Sequence, residues 1–280
     1  MAPIIERENA EFQELLALKT NRLKRTRERA FFVEGVRSLN LARETGWEFA
    51  ALYARAPALL SEWARTFLTT GRGALIRHLS EELMAKVSDK EDPSELVAVV
   101  RQRADSLERI PLTEQSIVLV LDRPASPGNL GSILRSADAF GVSGIIVTGH
   151  AVDLYDPQTI RASTGSCFAV PAIRLPGPEG VLAWVEASRA RFPGLGLIGT
   201  DEGGGASLWN WALPAPAVIV LGNEQSGLSR TWREACAELV SIPMVGRASS
   251  LNVSCAASIV LAEAYRQRQG LLRRGSAPPR

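Results

Sequence analysis

Apolar residues fall along this chain in two patterns, short unbroken runs and longer stretches where they recur at helical spacing, and the two patterns alternate. In the first third, FFVEG (31–35), EFAALYAR (48–55), GALIRHLS (73–80) and ELVAVVRQ (95–102) predict strands. VRSLNLARETG (36–46), SEWARTFLTTG (61–71) and SEELMAKVSD (80–89) predict the helices between them. That alternation predicts a small α/β domain over 1–105. RADSLERIPLTEQ (103–115) is polar, lacks periodicity and contains a proline, which places a linker at 106–115.

A second α/β domain is expected over 116–272. IVLVLD (117–122), VSGIIVTG (142–149), LGLIGT (195–200), APAVIVLG (215–222) and LVSIPM (239–244) read as strands. PEGVLAWVEASRARF (178–192) reads as a helix, as does TWREACAELV (231–240), with Thr231 and Glu234 spaced as a capping box. A last helix is predicted from about Leu251 to Gln269, with Ser250 as its cap and Val253, Ala257, Val260 and Ala264 as its apolar stripe, and 273–280 is expected to be a disordered tail.

One helix is marked at both ends. In SPGNLGSILRSADAFG (126–141) a Pro-Gly pair breaks the preceding strand, Asn129 can cap, and Gly141 can close the helix in a left-handed turn. Leu130, Ile133, Leu134, Ala137 and Phe140 form the stripe to be buried, which leaves Asn129, Ser132 and Arg135 on a polar face. Arg135 near a helix N-terminus reads either as a surface charge or as part of an anion site for phosphate or carboxylate.

Composition narrows the chemistry. With 46% hydrophobic and 22% charged residues the chain is an ordinary globular one; its first twenty residues carry charges where a signal peptide is apolar, and no run is long enough to cross a bilayer. A cytoplasmic protein without a membrane partner is expected. The three cysteines are widely spaced, which predicts buried free thiols, and only two histidines are present, so neither a metal site nor a histidine triad is expected. Of the 32 basic residues 28 are arginine, the better phosphate fork, although codon bias exchanges lysine for arginine equally well. Position says more: KTNRLKRTRER (19–29) holds Arg22, Lys24, Arg25 and Arg27, either a nucleic-acid contact or a solvated helix face.

GLGLIG (194–199) matches the dinucleotide pattern letter for letter, but Pro193 precedes it and LGLIGT is itself the strand, so the nicotinamide reading fails on context. LGNEQSGLS (221–229) follows the apolar strand, at the carboxyl end where open α/β sheets bind ligands; its Glu224 can serve a site or simply accept from nearby backbone N–H groups.

NLGSILRSADAFG (129–141), LGNEQSGLS (221–229) and IPM…SLNVS (242–254) together resemble the three signature motifs of the SpoU/TrmH family of RNA ribose 2′-O-methyltransferases, in family order. The front half is similar to the L30e-type RNA-binding domain found in many members, and DRPASPGNLGSILRSADAFG with GHAVDLYDPQTIRASTGS resembles the avilamycin-resistance branch. The resemblance implies an S-adenosylmethionine-dependent homodimer, whose catalytic α/β domain carries a deep trefoil knot. It implies a cofactor pocket from Gly199 and Thr200, from Leu221, Gly222, Asn223 and Glu224, and from Ile242, Pro243, Met244 and Leu251. Arg135 is then expected to bind the phosphate beside the target ribose and acidify its 2′-hydroxyl, because a guanidinium is a poor base at neutral pH. Asn129 would orient Arg135 or the ribose; Glu224, Ser250 and Asn252 would hold loops and substrate; Arg22, Lys24, Arg25 and Arg27 would join Arg135 in contacting RNA. The implied substrate is 23S rRNA ahead of tRNA, with a non-catalytic RNA-binding protein on the same scaffold as the remaining alternative.

Overall fold

The computed structural model describes residues 4–70 and 73–275, which divide into two compact units. The first consists of the chain up to Arg103 together with Tyr155–Ala169. Its elements are β1 (Ile4–Ile5), α1 (Ala10–Thr20), α2 (Arg22–Glu28), β2 (Ala30–Glu34), α3 (Val36–Glu44), β3 (Phe49–Ala54), α4 (Glu62–Thr70), β4 (Leu75–Leu79), α5 (Glu81–Val87) and β5 (Leu96–Arg101). The sheet runs β1-β4-β3-β5-β2, with β5 antiparallel to both neighbours and the other pairs parallel. Phe12, Leu15 and Leu18 recur at helical spacing along α1 and are buried in the core with Phe32, Leu83 and Val97. Asn21 ends α1 and caps α2, accepting from the Lys24 amide at 3.2 Å.

Arg25 corrects the expectation for the basic run. It is 2% exposed, and its Nη1 donates to the Leu18 and Lys19 carbonyls, both at 2.9 Å, while Nη2 reaches Asp156 at 3.5 Å. Those carbonyls belong to the last turn of α1, which has no intrahelical donors left for them, so Arg25 is a structural cap and not an RNA contact. Lys24 is only partly accessible and pairs with Glu14 at 3.5 Å and Glu28 at 3.2 Å. Arg22 and Arg27 are exposed.

Beyond Arg103 the elements are β6 (Ile117–Asp122), α6 (Pro127–Ala139), β7 (Gly144–Thr148), α7 (Pro157–Ser163), α8 (Ser166–Ala169), β8 (Ala172–Leu175), α9 (Glu179–Arg189), β9 (Gly196–Thr200), β10 (Ala206–Ser207), β11 (Ala217–Leu221), α10 (Arg230–Ala235), β12 (Glu238–Ser241) and α11 (Val253–Gly275). Helices α7 and α8 fall in the first unit, within a segment that sequence left in the second half. The Phe31 ring lies 4.4 Å from Tyr155 and 6.1 Å from Phe168, and the Trp47 indole N–H donates to the Phe168 carbonyl at 3.0 Å.

The second unit holds Ala104–Leu154 and the chain from Val170 onward. Its seven-stranded sheet is parallel throughout, in the order β10-β12-β9-β11-β6-β7-β8. Strands β6, β7 and β11 are buried along their whole length, as the unbroken apolar runs require of strands covered on both faces. The chain steps outward from β6 through β7 to β8, then returns so that β11 lies against the other edge of β6. The carboxyl ends of β6 and β11 therefore flank a topological switch point, where such sheets open a crevice. The expected linker is packed here: Ile110 is 4% exposed, within a cluster that Leu107 and Leu112 adjoin.

Five local expectations change. Ser126, not Asn129, caps α6, accepting from the Asn129 amide at 3.3 Å, because Pro127 takes the first helical position. Helix α10 starts at Arg230, so Thr231 and Glu234 make no capping box, and Glu238–Val240 form part of β12. Asn252 rather than Ser250 caps α11, its Oδ1 accepting from the Ser254 amide at 2.8 Å. That helix continues to Gly275, through the start of the expected tail, whose residues 276–280 lie outside the described residues. Cys167 is buried and Cys236 partly so, and burial pushes both thiols up to about 12, whereas Cys255 is exposed, contrary to expectation. Among the described residues no helix is long and apolar enough to cross a membrane.

Candidate active site

A cavity of about 330 Å³ opens at the carboxyl ends of β9 and β11. It is lined by Thr200–Glu202 after β9, by Leu221–Gly227 after β11, by Val240, Ile242, Met244, Ser250 and Leu251 in and after β12, by Val253 and Ala256 in the first turn of α11, and by Arg233. Three loops that are distant in sequence thus meet because β9, β11 and β12 lie near one another in the sheet. Of the residues expected to hold a cofactor, Thr200, Leu221, Gly222, Asn223, Glu224, Ile242, Met244 and Leu251 line this cavity. Gly199 and Pro243 do not. Gly199 lies in β9, where a Cβ would come within 2.6 Å of Leu239 and 2.8 Å of Leu228, so its glycine serves packing beneath the cavity.

The loop after β11 folds tightly. Asn223 and Gly227 exchange both backbone hydrogen bonds at 3.0 Å, and the Asn223 Oδ1 accepts from the amides of Gln225 at 2.9 Å and Ser226 at 3.1 Å. A Cβ on Gly222 would lie 2.3 Å from the Gly227 carbonyl carbon and 2.4 Å from the Leu228 nitrogen, so only glycine fits under the turn. Between its floor and rim the cavity offers apolar side chains (Leu221, Val240, Ile242, Met244, Leu251) beside backbone polar groups and the carboxylates of Asp201, Glu202 and Glu224. Asp201 is paired with Arg233 at 2.5 Å.

Glu224 joins this loop to the start of α6. Its carboxylate accepts from the amides of Ala125 at 3.0 Å and Ser126 at 3.2 Å and from the Asn129 Nδ2 at 3.1 Å. Burial pushes the carboxyl up, but the donors of Asn129, Ala125 and Ser126 outweigh it and hold the group below the usual carboxylate range. Asn129 passes the link on: its Oδ1 accepts from the Asn252 Nδ2 at 3.0 Å. One chain of hydrogen bonds, Asn252 to Asn129 to Glu224, therefore ties the starts of α11 and α6 to the loop after β11. Its polarity is fixed at both ends. Glu224 can only accept, and the Asn252 Oδ1 is committed to the Ser254 amide and hydroxyl, so each amide has a single satisfactory orientation.

Arg135 stands outside that network. It is exposed on α6, about 9 Å along the axis from Asn129, and no hydrogen bond or ion pair engages it among the described residues. Asn129 therefore orients Glu224 and Asn252, not Arg135. Ser250 is exposed on the cavity lining. Sequence missed Asp122 and Arg123 at the end of β6, Asp201 and Arg233; the conformation of Arg123, φ 52°, has no signal in a non-glycine residue.

Comparison with known proteins bears on this geometry. The SpoU L30e-like domain model matches residues 9–98, and the SpoU rRNA Methylase family model matches residues 116–262. The chain is 49% identical over 260 residues to a 23S rRNA (uridine(2479)-2′-O)-methyltransferase of Streptomyces viridochromogenes, covering 93% of this chain and 91% of that protein. It is 32% identical over 202 residues to the 23S rRNA (guanosine-2′-O-)-methyltransferase RlmB of Salmonella typhi, over 70% and 81% of the two chains. The crystal structure of the SpoU methyltransferase AviRb from Streptomyces viridochromogenes, in complex with the cofactor AdoMet, matches with a TM-score of 0.89 at 48% identity, over 94% of this chain and 99% of that one. The cavity loops and the hydrogen-bonded chain between them are thus set in a fold shared with AviRb along nearly its whole length, and the protein belongs to the SpoU rRNA methylase family.

Proposed function

We propose that this protein transfers the methyl group of S-adenosylmethionine to a ribose 2′-hydroxyl of 23S rRNA. The observation that carries the reading is the meeting of three segments, after β9, after β11 and before α11, around one cavity, with an exposed Arg135 on the helix that Asn129 ties to them.

The lining suits S-adenosylmethionine. Leu221, Ile242, Met244 and Leu251 offer apolar surface to an adenine ring, while the backbone of Leu221–Gly227 and of Thr200–Glu202 supplies donors and acceptors; with Asp201 paired to Arg233, Glu202 and Glu224 leave the lining net negative, which suits a cationic sulfonium. When bound, that cofactor supplies an already activated methyl group, so the protein's task is to align the ribose oxygen and help it lose its proton. Arg135 keeps its charge at any physiological pH and presents a planar fork, which fits the phosphate next to the target ribose. A cation there acidifies the 2′-hydroxyl, and the proton leaves to that phosphate or to water. Glu224 acts as an acceptor for Asn129 and two amides and holds the loop; Ser250 and Asn252 flank the approach from the α11 side.

In this reading the L30e-like front domain presents the RNA, with Arg22 and Arg27 among its exposed cations. The catalytic domain carries the family's trefoil knot, and the enzyme works in the cytoplasm as a homodimer. Its test is competition between substrates: labelled methyl groups should pass from S-adenosylmethionine to unmodified 23S rRNA and not to unmodified tRNA. Preferential labelling of tRNA would overturn the choice of substrate.

A further inference from the structure

The cavity loop after β11 is gripped by two residues that do not line the cavity. Asp122, the last residue of β6, is 4% exposed, and its Oδ2 accepts from the Ser229 amide at 2.8 Å. The Arg123 guanidinium binds that carboxylate with both arms, Nε to Oδ1 and Nη2 to Oδ2, each at 3.0 Å, and Nη2 also donates to the Gly227 carbonyl at 3.2 Å. The Arg123 carbonyl accepts from the Asn223 Nδ2 at 2.6 Å. The loop is thereby held at Asn223, Gly227 and Ser229, its beginning, turn and end.

Arg123 adopts a left-handed backbone, φ 52°, which a side chain with a Cβ takes only at a cost in free energy. Its surroundings over-determine that conformation. The amide donates to the Thr148 carbonyl at 2.9 Å, and Gly149 leaves room for the arginine stem, since a Cβ there would sit 2.8 Å from the Arg123 Cγ. The turn at Arg123 aims its carbonyl and its guanidinium at the same loop. The next residues, Ala125 and Ser126, then present their amides to Glu224.

We propose that Asp122 and Arg123 are positioning residues for the cofactor, a clamp outside the cavity that sets the backbone of the loop from Gly222 to Ser229. The inference rests on the reading of the cavity as the S-adenosylmethionine site. Arg123→Gly is the informative variant, because glycine accepts the left-handed backbone freely while removing the guanidinium. Removing one charge-assisted grip should raise the dissociation constant for S-adenosylmethionine about tenfold in calorimetry. The KM for the cofactor should rise in parallel while kcat at saturating cofactor stays within about threefold of wild type, a split that general destabilisation would not produce. Arg123→Lys keeps the charge without the fork and should fall between the two.

Amide exchange in the cofactor-free protein provides a second readout, with faster exchange expected at Gly227 and Ser229 in Arg123→Gly. A wild-type protein that binds the cofactor, beside an Arg123→Gly variant with unchanged affinity and unchanged exchange, would overturn the clamp and leave the cofactor site standing. A wild-type protein that fails to bind would overturn the cofactor site and the positioning role together. If Arg123→Gly does not fold, Arg123→Lys and Asp122→Asn carry the same two measurements.

Discussion

Replacing Glu224 by glutamine keeps shape and volume and changes only what the two terminal atoms can do. The carboxylate oxygens meet donors alone: Oε2 faces the Ala125 amide, and Oε1 faces the Ser126 amide and the Asn129 Nδ2. A glutamine has one acceptor to offer. Its best placement keeps oxygen toward Ser126 and Asn129 and turns its amino group against the Ala125 N–H. One hydrogen bond to a charged group is then lost, and two others become neutral. Bonds to ionised groups are worth about 1.5–3 kcal/mol and neutral ones about 1 kcal/mol, and water can still reach the Ala125 amide, so the loss comes to about 2 kcal/mol. That is about 30-fold in an equilibrium constant. Because the loop lines the cavity, the loss divides between unfolding free energy, measured in urea, and S-adenosylmethionine affinity, measured by calorimetry. The two losses together should approach about 2 kcal/mol, and the double variant with Asn129→Ala should show coupling of about 0.5 kcal/mol or more. Wild-type values in both assays for Glu224→Gln would refute the account of the carboxylate as the acceptor that joins α6 to the loop.

Acidification should act through the same group. Its folded pKa lies below its ordinary value of 4.5, so its contribution is complete above that value and is lost as pH falls through the folded pKa; acid unfolding curves of wild type and Glu224→Gln should converge there. Arg135→Ala should abolish methyl transfer while leaving cofactor affinity unchanged and stability within about 0.5 kcal/mol, since the side chain is exposed and no described residue pairs with it. Gly222→Ala places a Cβ 2.3 Å from backbone and should cost more than about tenfold in cofactor affinity by calorimetry, because the turn itself must move. Arg25→Ala should lower unfolding free energy by about 2–3 kcal/mol by leaving two α1 carbonyls without their donor, with no change in the salt dependence of RNA binding.

The elements legible in the sequence were those with their own pattern. Strands β6, β7 and β11 are unbroken apolar runs, and α6 carries Leu130, Ile133, Leu134 and Ala137 on its buried face with Gly141 closing it at φ 68°. The GLGLIG segment contributes β9, which explains why its glycines make no phosphate loop. What sequence hid depends on partners far along the chain. The strand expected over 239–244 is present but starts at Glu238 and ends at Ser241, and the helix expected to run to Val240 ends at Ala235, because β9 offers Glu238–Val240 a parallel edge. Tyr155–Ala169 is polar and aperiodic, and aromatic contacts to Phe31 and Trp47 place it with the first unit. Arg25 stands in a run of cations like its neighbours, and only the carbonyls at the end of α1 select it for burial.

The site divides in the same way. The motifs brought Glu224, Asn129, Asn252 and the lining loops into view, but not the pairing among them, since an asparagine at a helix start reads equally well as a cap. Pro127 settles that point, because it fills the first helical position and makes Ser126 the cap, which frees the Asn129 side chain for Glu224 and Asn252.

The central claim is methyl transfer to a ribose hydroxyl with Arg135, which stands outside the hydrogen-bonded chain, acting on the ribose and its phosphate. Its most direct measurement is mass spectrometry of the nucleosides released from 23S rRNA incubated with S-adenosylmethionine and either wild-type protein or Arg135→Ala. The account predicts one 2′-O-methyl nucleoside, formed by the wild type and absent with Arg135→Ala. A methyl group on a base, or equal ribose methylation by both proteins, would contradict it.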